Sequence, residues 1–440
     1  MSNKVITIFE FEEKIIGRTE EKILTPREIS ALIKLNRRIK EIQKTGSDII
    51  TFENLGSDYL KLKTNSYVGV LSIGNKTIQI LPKMARTDLI GEEYSRQAIQ
   101  NLLYMLAYTK KLEIKETDLA ALRSVGDNFF EVLIYLFAKN LLSLIQNDIS
   151  KEYVRREENL PFIKGKLQFS SHLKQNMVSR GRFYLEYDEF CEDNLLNQIL
   201  KYTTGLLLKT SNNFNNLKLL RELEFLFSDI SLKKIVLDDF KRINLTRLNK
   251  TYEPILNLCK IFIGLSSLEL SADKIKTFSF VFDMNVLFEE FIGEFIKKSF
   301  YQDYSSITLQ QPVRSLIEEK YLDNALVARD IFKLRPDIVL CQTDKIPSVI
   351  VDTKYKILNN ADKKEGVSQA DLYQMNAYAQ KYNCQDIVLL FPRLDSQLDR
   401  NIKFKVSETV NIHARTVDLC RDLKAEKEEL RDELRNILNV

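Results

Sequence analysis

Histidine is almost absent. Among 440 residues only His172 and His413 carry an imidazole, so a histidine base or a histidine metal cage has little to work with, and both read as surface or packing residues. Cysteine is sparse too: residues 191, 259, 341, 384 and 420 are scattered without a C-x-x-C pair, which argues against a zinc ribbon. Their odd number argues against a disulfide framework, and they read as reduced thiols of a cytoplasmic protein. No amino-terminal apolar run resembles a signal peptide. The most apolar stretch, NFFEVLIYLFAKNLLSLIQ, is interrupted by Glu131 and Lys139, the pattern of a buried helix and not of a membrane span. Internal repeats and low-complexity linkers are also missing. Neither sign of charge dominates: a net charge of +4 and a pI near 8.5 permit nucleic-acid binding without demanding it.

A phosphate-binding loop is lacking as well. Gly69, Gly74, Lys76 and Thr77 come close to one, but Asn75 intrudes between glycine and lysine, and a strand follows where a helix should. The stretch reads as a turn. Any nucleotide the protein depends on is therefore expected on a partner and not on this chain.

What is present divides the chain into three regions, more than one ordinary core can serve. Residues 1–91 open with the alternating run VITIFEFEEKII, read as a strand, then a basic helical stretch from Arg27 to Lys44 and short strands near 48–52 and 59–63. A hairpin of YVGVLSI and KTIQILP around Gly74-Asn75 closes this small β-rich domain. Residues 92–276 are mainly helical by their apolar periodicity. Within them Tyr153, Arg155, Arg156, Lys164, Lys166, Arg180, Arg182 and Tyr184 form a basic and aromatic patch. It suits a DNA backbone. It equally suits a domain junction, because Glu157, Glu158, Glu186, Asp188 and Glu189 are as dense as the bases. Residues 277–440 read as helix, strands, helix and strand, an α/β sandwich with a mixed sheet, closed by an amphipathic helix from Asn411 to Val440. The fold class expected is a multidomain α+β protein.

The third region carries the chemistry. LRPDIVL and VIVDTKYK flank a polar connector between Leu334 and Lys356, which predicts a hairpin of two buried strands. Each strand holds acid where apolar residues belong: Asp337 at the head of the first, and Asp352 at the tail of the second, two residues before Lys354. Buried carboxylates cost several kcal/mol unless a cation pairs with them, so Asp337 and Asp352 together suggest a bound metal. Oxygen ligands point to Mg²⁺, with Mn²⁺ as the substitute. Such a site suits phosphodiester hydrolysis, with Lys354 orienting the attacking water or offsetting negative charge. The plainer alternative is a hairpin whose charges sit at solvated strand ends. Acid-x-Lys triplets also occur at Glu113, Asp239 and Asp422, without the strand context. Downstream, GVSQADLYQMNAYAQKY places Gln374 and Tyr378 on one helix face; upstream, VLFEEFIGEFIKKSF offers Glu289 or Glu290 as a third acid.

Asp337, Asp352 and Lys354 match the pattern of the PD-(D/E)xK nucleases, and a Gln-x-x-x-Tyr helix after the lysine is typical of one branch of them. With YVGVLSIGNKTIQILPKM, EENLPFIKGKL, RFYLEYDEFCEDNLLNQIL, RPDIVL, VDTKYK and DLYQMNAYA in order, the chain resembles the McrC family, the nuclease subunit of McrBC-type restriction systems. The resemblance implies a Mg²⁺-dependent DNA endonuclease with Asp337, Asp352 and Lys354 on the catalytic positions, the helix of Gln374 beside them, and a PD-(D/E)xK fold over 277–440; Glu289 is the first candidate for the third acid, with Glu290 open as the other. It also implies a McrB-like AAA+ GTPase hexamer as partner, which binds the GTP and is stimulated through residues 1–91, with the basic helix, Lys83 and Arg86 as candidate contacts. Two cut strands imply paired nuclease domains on double-stranded DNA. The alternative is a scaffold that activates an NTPase ring and cuts little by itself.

Overall fold

The computed structural model describes residues 4–17, 24–43, 48–54, 59–73, 76–109, 128–146, 149–178, 181–247, 249–266, 277–343, 346–356, 358, 365–394 and 399–439. Two compact units divide the chain: Phe130–Phe278 form one, while Lys4–Phe129 and Ser279–Val440 cluster together in the other. The amino-terminal region thus shares a unit with the region that carries the proposed chemistry. Among the described residues no helix is long and apolar enough to cross a membrane.

The amino-terminal run expected as one strand is two, β1 (Lys4–Phe9) and β2 (Glu13–Gly17). The break has a local cause: Phe11 takes a left-handed φ of 52°, and the Thr64 hydroxyl donates to Phe9 O at 2.6 Å and accepts from Glu12 N at 3.1 Å. Then come α1 (Pro26–Gln43), β3 (Ile50–Asn54), β4 (Tyr59–Thr64), β5 (Tyr67–Ile73), β6 (Lys76–Leu81) and α2 (Gly91–Tyr108). Strands β2, β4 and β3 form one antiparallel sheet. The β5–β6 hairpin pairs antiparallel with Ile73 opposite Lys76, so strand leads to strand; the Gly74-Asn75 turn lies outside the described residues. Gly69 is needed for packing: at φ +139° its missing Cβ would fall 1.9 Å from Phe280 O.

The middle unit contains α3 (Phe129–Ile145), β7 (Glu152–Leu160), β8 (Lys166–Leu167), α4 (Phe169–Asn176), β9 (Phe183–Cys191), α5 (Leu195–Leu208), α6 (Phe214–Leu226) and α7 (Glu253–Ser266). Helices prevail, but β7, β9 and β8 form a sheet that apolar periodicity did not announce, β7 being largely a run of charges, EYVRREENL. The described part of the basic patch lies on and beside this sheet, and Arg155, Arg156 and Lys164 are paired with acids there. Arg155 pairs with Glu186, Arg156 lies 3.5 Å from Glu189, and Lys164 lies 3.1 Å from Glu189 and 3.9 Å from the centre of the Tyr187 ring. Arg180 lies outside the described residues.

The chain then enters β10 (Thr277–Asp283), which completes a sheet ordered β1-β6-β5-β10, and α8 (Met284–Ser299), capped by Asp283 accepting from Asn285 N. After α8 come β11 (Ser306–Leu309), the exposed antiparallel pair β12 (Arg314–Leu322) and β13 (Ala325–Leu334), β14 (Ile338–Thr343) and β15 (Ile346–Thr353). Then follow α9 (Gln369–Tyr382), β16 (Asp386–Arg393), β17 (Asn401–Lys405), β18 (Asn411–Asp418) and α10 (Lys427–Leu438). A mixed six-stranded sheet runs β11-β14-β15-β16-β18-β17, parallel only across β15-β16-β18. The expected terminal helix from Asn411 is corrected here. Asn411–Asp418 is a strand whose Ile412, Ala414 and Val417 are fully buried, and the helix begins only at Lys427. Helix α9 packs Met375, Tyr378, Ala379 and Tyr382 onto Ile350, Ile387, Leu389 and Ile412. Burying such side chains contributes about 1.5–3 kcal/mol each, which fixes the helix over the strand ends.

A candidate carboxylate and lysine centre on the central hairpin

The hairpin β14–β15 pairs antiparallel with Ile338 opposite Val351, so Asp337 and Asp352 lie one step further along, next to each other at the same end. Asp337 is held from its neighbour strand: its Oδ2 accepts from Thr353 N at 2.6 Å and from the Thr353 hydroxyl at 2.8 Å. Strand alternation puts Asp352 on the face that Ile350 shares with α9. Asp352 is 1% exposed, and Lys354 Nζ lies 2.5 Å from its Oδ2, an atom that no donor meets at hydrogen-bond geometry. Burial, then repulsion from Asp337, pushes the Asp352 carboxyl up to about 7 against the pull of Lys354. Burial works against the Lys354 charge, but Asp352, Asp337 and Asp371 outweigh it and hold the ammonium above its ordinary value.

Helix α9 adds the next links. Ser368 and Asp371 form a capping box that fixes its start, and Asp371 also lies 2.5 Å from Lys356 Nζ. One turn on, exposed Gln374 accepts from Lys354 Nζ at 3.4 Å and donates to the Tyr378 hydroxyl at 2.8 Å. That hydroxyl donates in turn to Arg335 O at 3.1 Å, so the chain of contacts returns to the start of β14.

Of the two candidate glutamates on α8, Glu289 and Glu290, the first turns to the centre. Burial, then the charge of Asp337, raises its carboxyl to about 7, while Gln310 Nε2 donates to its Oε1. Glu290 and Glu294 line the adjoining groove with Glu289, Leu309 and Gln310. Two residues escaped the sequence reading. Gln310, at φ 50° after β11, donates its backbone N–H to Asp337 O at 2.9 Å and accepts from Arg335. The only sequence sign was Gln310-Gln311-Pro312 ending an apolar run. Thr353 sits between Asp352 and Lys354, where its hydroxyl reads as strand filler.

Asp337 and Asp352 thus act on one ammonium, Glu289 feels the charge of both aspartates, and Asp352 and Glu289 are driven toward their neutral form. A divalent cation would relieve both effects; Asp352 Oδ2, its candidate ligand atom, lies against Lys354 Nζ at 2.5 Å. Among the described residues no three His, Cys, Asp or Glu groups are placed so that together they could hold a metal ion. A stability test follows from the sign of the shift. A carboxyl whose folded value is raised takes up protons on folding, so it costs nothing below about pH 4 and destabilises increasingly as pH rises through 7. Asp352→Asn should therefore melt with wild type at pH 4.5 and above it at pH 8 without metal, by ~2 kcal/mol after sharing within the cluster. Equal melting at both pH values would contradict the buried, raised carboxyl.

The profile of the McrBC 5-methylcytosine restriction system component family matches residues 62–392. The chain belongs to that family. Its likeness to the McrBC methyl-directed restriction enzyme EcoKMcrBC of Escherichia coli strain K12 is 24% identity over 351 residues, 76% of this chain and 96% of the relative. A chain from the half-complex of a tetradecameric assembly of Thermococcus gammatolerans McrB AAA+ hexamers with bound McrC superimposes with a TM-score of 0.73 and 26% identity. The match covers 99% of this chain and all of the other. A second match, from the Thermococcus gammatolerans McrBC complex, has a TM-score of 0.52 and 29% identity over 67% of this chain and 88% of that one. The McrC resemblance drawn from scattered motifs therefore extends over the whole McrBC-family chain.

Proposed function

We propose that this chain is the DNA-cutting subunit of a GTP-dependent McrBC-type restriction system. It is read as a Mg²⁺-dependent, cytoplasmic endonuclease that works with a McrB-like AAA+ GTPase hexamer and stimulates its GTP hydrolysis. What carries the reading is the meeting of Asp337 and Asp352 with Lys354 at one end of the hairpin, with Glu289 close enough to feel the charge of both aspartates. The family match and the likeness to chains of McrB–McrC assemblies support the partner. The mixed sheet with α8 and α9 against it is read as a PD-(D/E)xK domain, and residues 1–91 as the ring-docking part.

Asp337 and Asp352, with Glu289 beside them, would hold the ion. Bound there, Mg²⁺ supplies Lewis-acid polarisation of a phosphate oxygen and a more acidic water. Thr353 fixes Asp337 through two hydrogen bonds, so that carboxylate is aimed before substrate arrives. Lys354 places a permanent positive charge where a scissile phosphate gathers negative charge in the transition state. Gln374, braced by Tyr378, limits the swing of that ammonium and presents an amide at the mouth of the site.

The reading is tested with long duplex DNA, methylated or unmethylated, incubated with this chain, its cognate GTPase, Mg²⁺ and GTP. Double-strand cuts that require GTP hydrolysis are expected, with 5-methylcytosine contrast reporting what the partner reads. Stimulated GTP hydrolysis without any cut would favour the activating scaffold instead.

A further inference from the structure

The turn between β1 and β2 places a carboxyl in the protein interior. Glu10 is 0% exposed, and burial pushes it up to about 7, against the stabilising bonds of the Tyr355 hydroxyl and of Lys83 N. The Tyr355 hydroxyl donates to Glu10 Oε1 at 2.6 Å, and Lys83 N donates to the same oxygen at 2.9 Å. A buried carboxyl costs several kcal/mol that an aliphatic side chain would not, so packing alone gives no reason for it. The next residue, Phe11, holds its left-handed φ of 52° and lays its ring 6.3 Å from that of Tyr355. Phe288 of α8 meets the same ring at 5.6 Å. A carboxyl and a strained aromatic from one turn therefore both close on Tyr355, the residue immediately after Lys354.

The turn is itself braced. Glu10 N donates to Leu81 O at 2.9 Å, the Thr64 hydroxyl spans Phe9 and Glu12, and Glu12 Oε2 accepts from Phe9 N at 2.6 Å. On the other side Lys354 N donates to Leu390 O at 2.9 Å, and Lys356 N to Lys354 O at 3.0 Å. The same amino-terminal region also meets the start of the glutamate helix: Met284 N donates to Ser66 O at 2.8 Å and the Asn285 amide to the Ser66 hydroxyl at 2.9 Å.

We propose that Glu10 and Tyr355 are positioning residues of the cutting centre: the β1–β2 turn grips the backbone just past Lys354 and keeps the ammonium in register with Asp352 and Asp337. The inference rests on the nuclease reading for its functional half and on the resting chain for its structural half, so each half has its own readout. Tyr355→Phe keeps the ring stack and removes the hydroxyl. Glu10→Leu keeps the volume and removes the acceptor, while Glu10→Gln keeps an acceptor.

In the full chain, hydrogen exchange of the Lys354 amide should quicken in Tyr355→Phe and Glu10→Leu and stay near wild type in Glu10→Gln. In the complex with the GTPase, kcat for cutting should fall roughly 10- to 100-fold in the first two at unchanged KM for DNA, with Glu10→Gln restoring it. Stimulated GTP turnover should hold in Tyr355→Phe, whose residue lies outside the part read as ring-docking. Wild-type exchange at Lys354 in Tyr355→Phe overturns the grip, whatever cutting does. Faster exchange with undiminished kcat, in a complex that Asp352→Ala inactivates, overturns the positioning role. Loss in Glu10→Gln as severe as in Glu10→Leu also contradicts it, since the acceptor would then not be what matters. A wild-type complex that never cuts strikes the nuclease reading, and the exchange result still decides the grip.

Discussion

Lys354→Ala is expected to slow DNA cutting by the reconstituted complex roughly 10²- to 10³-fold, the loss typical of removing one preorganised group that meets transition-state charge. Stimulated GTP hydrolysis should continue, because the lysine's contacts, Asp352 at 2.5 Å and Gln374 at 3.4 Å, lie within the centre. Lys354→Arg should not restore the rate. A planar guanidinium is longer and forked, and it spreads its charge instead of presenting the compact ammonium that fits between Asp352 and Gln374. Quenched-flow cutting of a defined duplex measures this. A Lys354→Ala complex within about threefold of wild type would remove the lysine from the chemistry.

Loss of the ion should be larger still. On the proposed reading, chelation is expected to stop cutting altogether, and Mg²⁺ or Mn²⁺ to restore it, since the bound ion would supply both the phosphate polarisation and the more acidic water. Asp337→Asn isolates the ligand charge from the geometry. The new amide still presents one oxygen to Thr353 N and its hydroxyl, now 2.6 and 2.8 Å from Oδ2, so the hairpin end should hold its shape while cutting drops by ~10³ or more. Mg²⁺ should raise the melting temperature of wild type and leave that of Asp337→Asn nearly unmoved. Binding should strengthen as pH rises through 7, because Asp352 and Glu289 must lose protons that their environment makes them keep up to about 7. Full cutting in chelator, or by Asp337→Asn, would sink the metal assignment.

The centre could be foreseen because its main parts are local. Acids at the two ends of an apolar hairpin are visible in sequence, and antiparallel pairing then brings Asp337 beside Asp352 without further information. The i, i+4 spacing of Gln374 and Tyr378 likewise survives into a 2.8 Å hydrogen bond. Choosing Glu289 over Glu290 was out of reach, because which helix face meets Asp337 depends on the sheet beneath α8. Glu10 and Tyr355 lie 345 residues apart, and no periodicity links them. The β1–β2 break was hidden for the same reason, resting on Thr64, 55 residues from Phe9. Strand β7 escaped because its run of charges, EYVRREENL, carries no apolar period, and β18 because the charged helix after it masked a buried strand.

The measurement that bears most directly on the account places wild type and Asp352→Ala side by side in the complex with the cognate GTPase, Mg²⁺ and GTP, reading DNA cuts and GTP turnover from the same sample. The expected result is no detectable cutting by Asp352→Ala with GTP hydrolysis stimulated as by wild type, which assigns cutting to the carboxylate and lysine centre. Cutting at the wild-type rate by Asp352→Ala would place the chemistry elsewhere and leave the hairpin a structural feature.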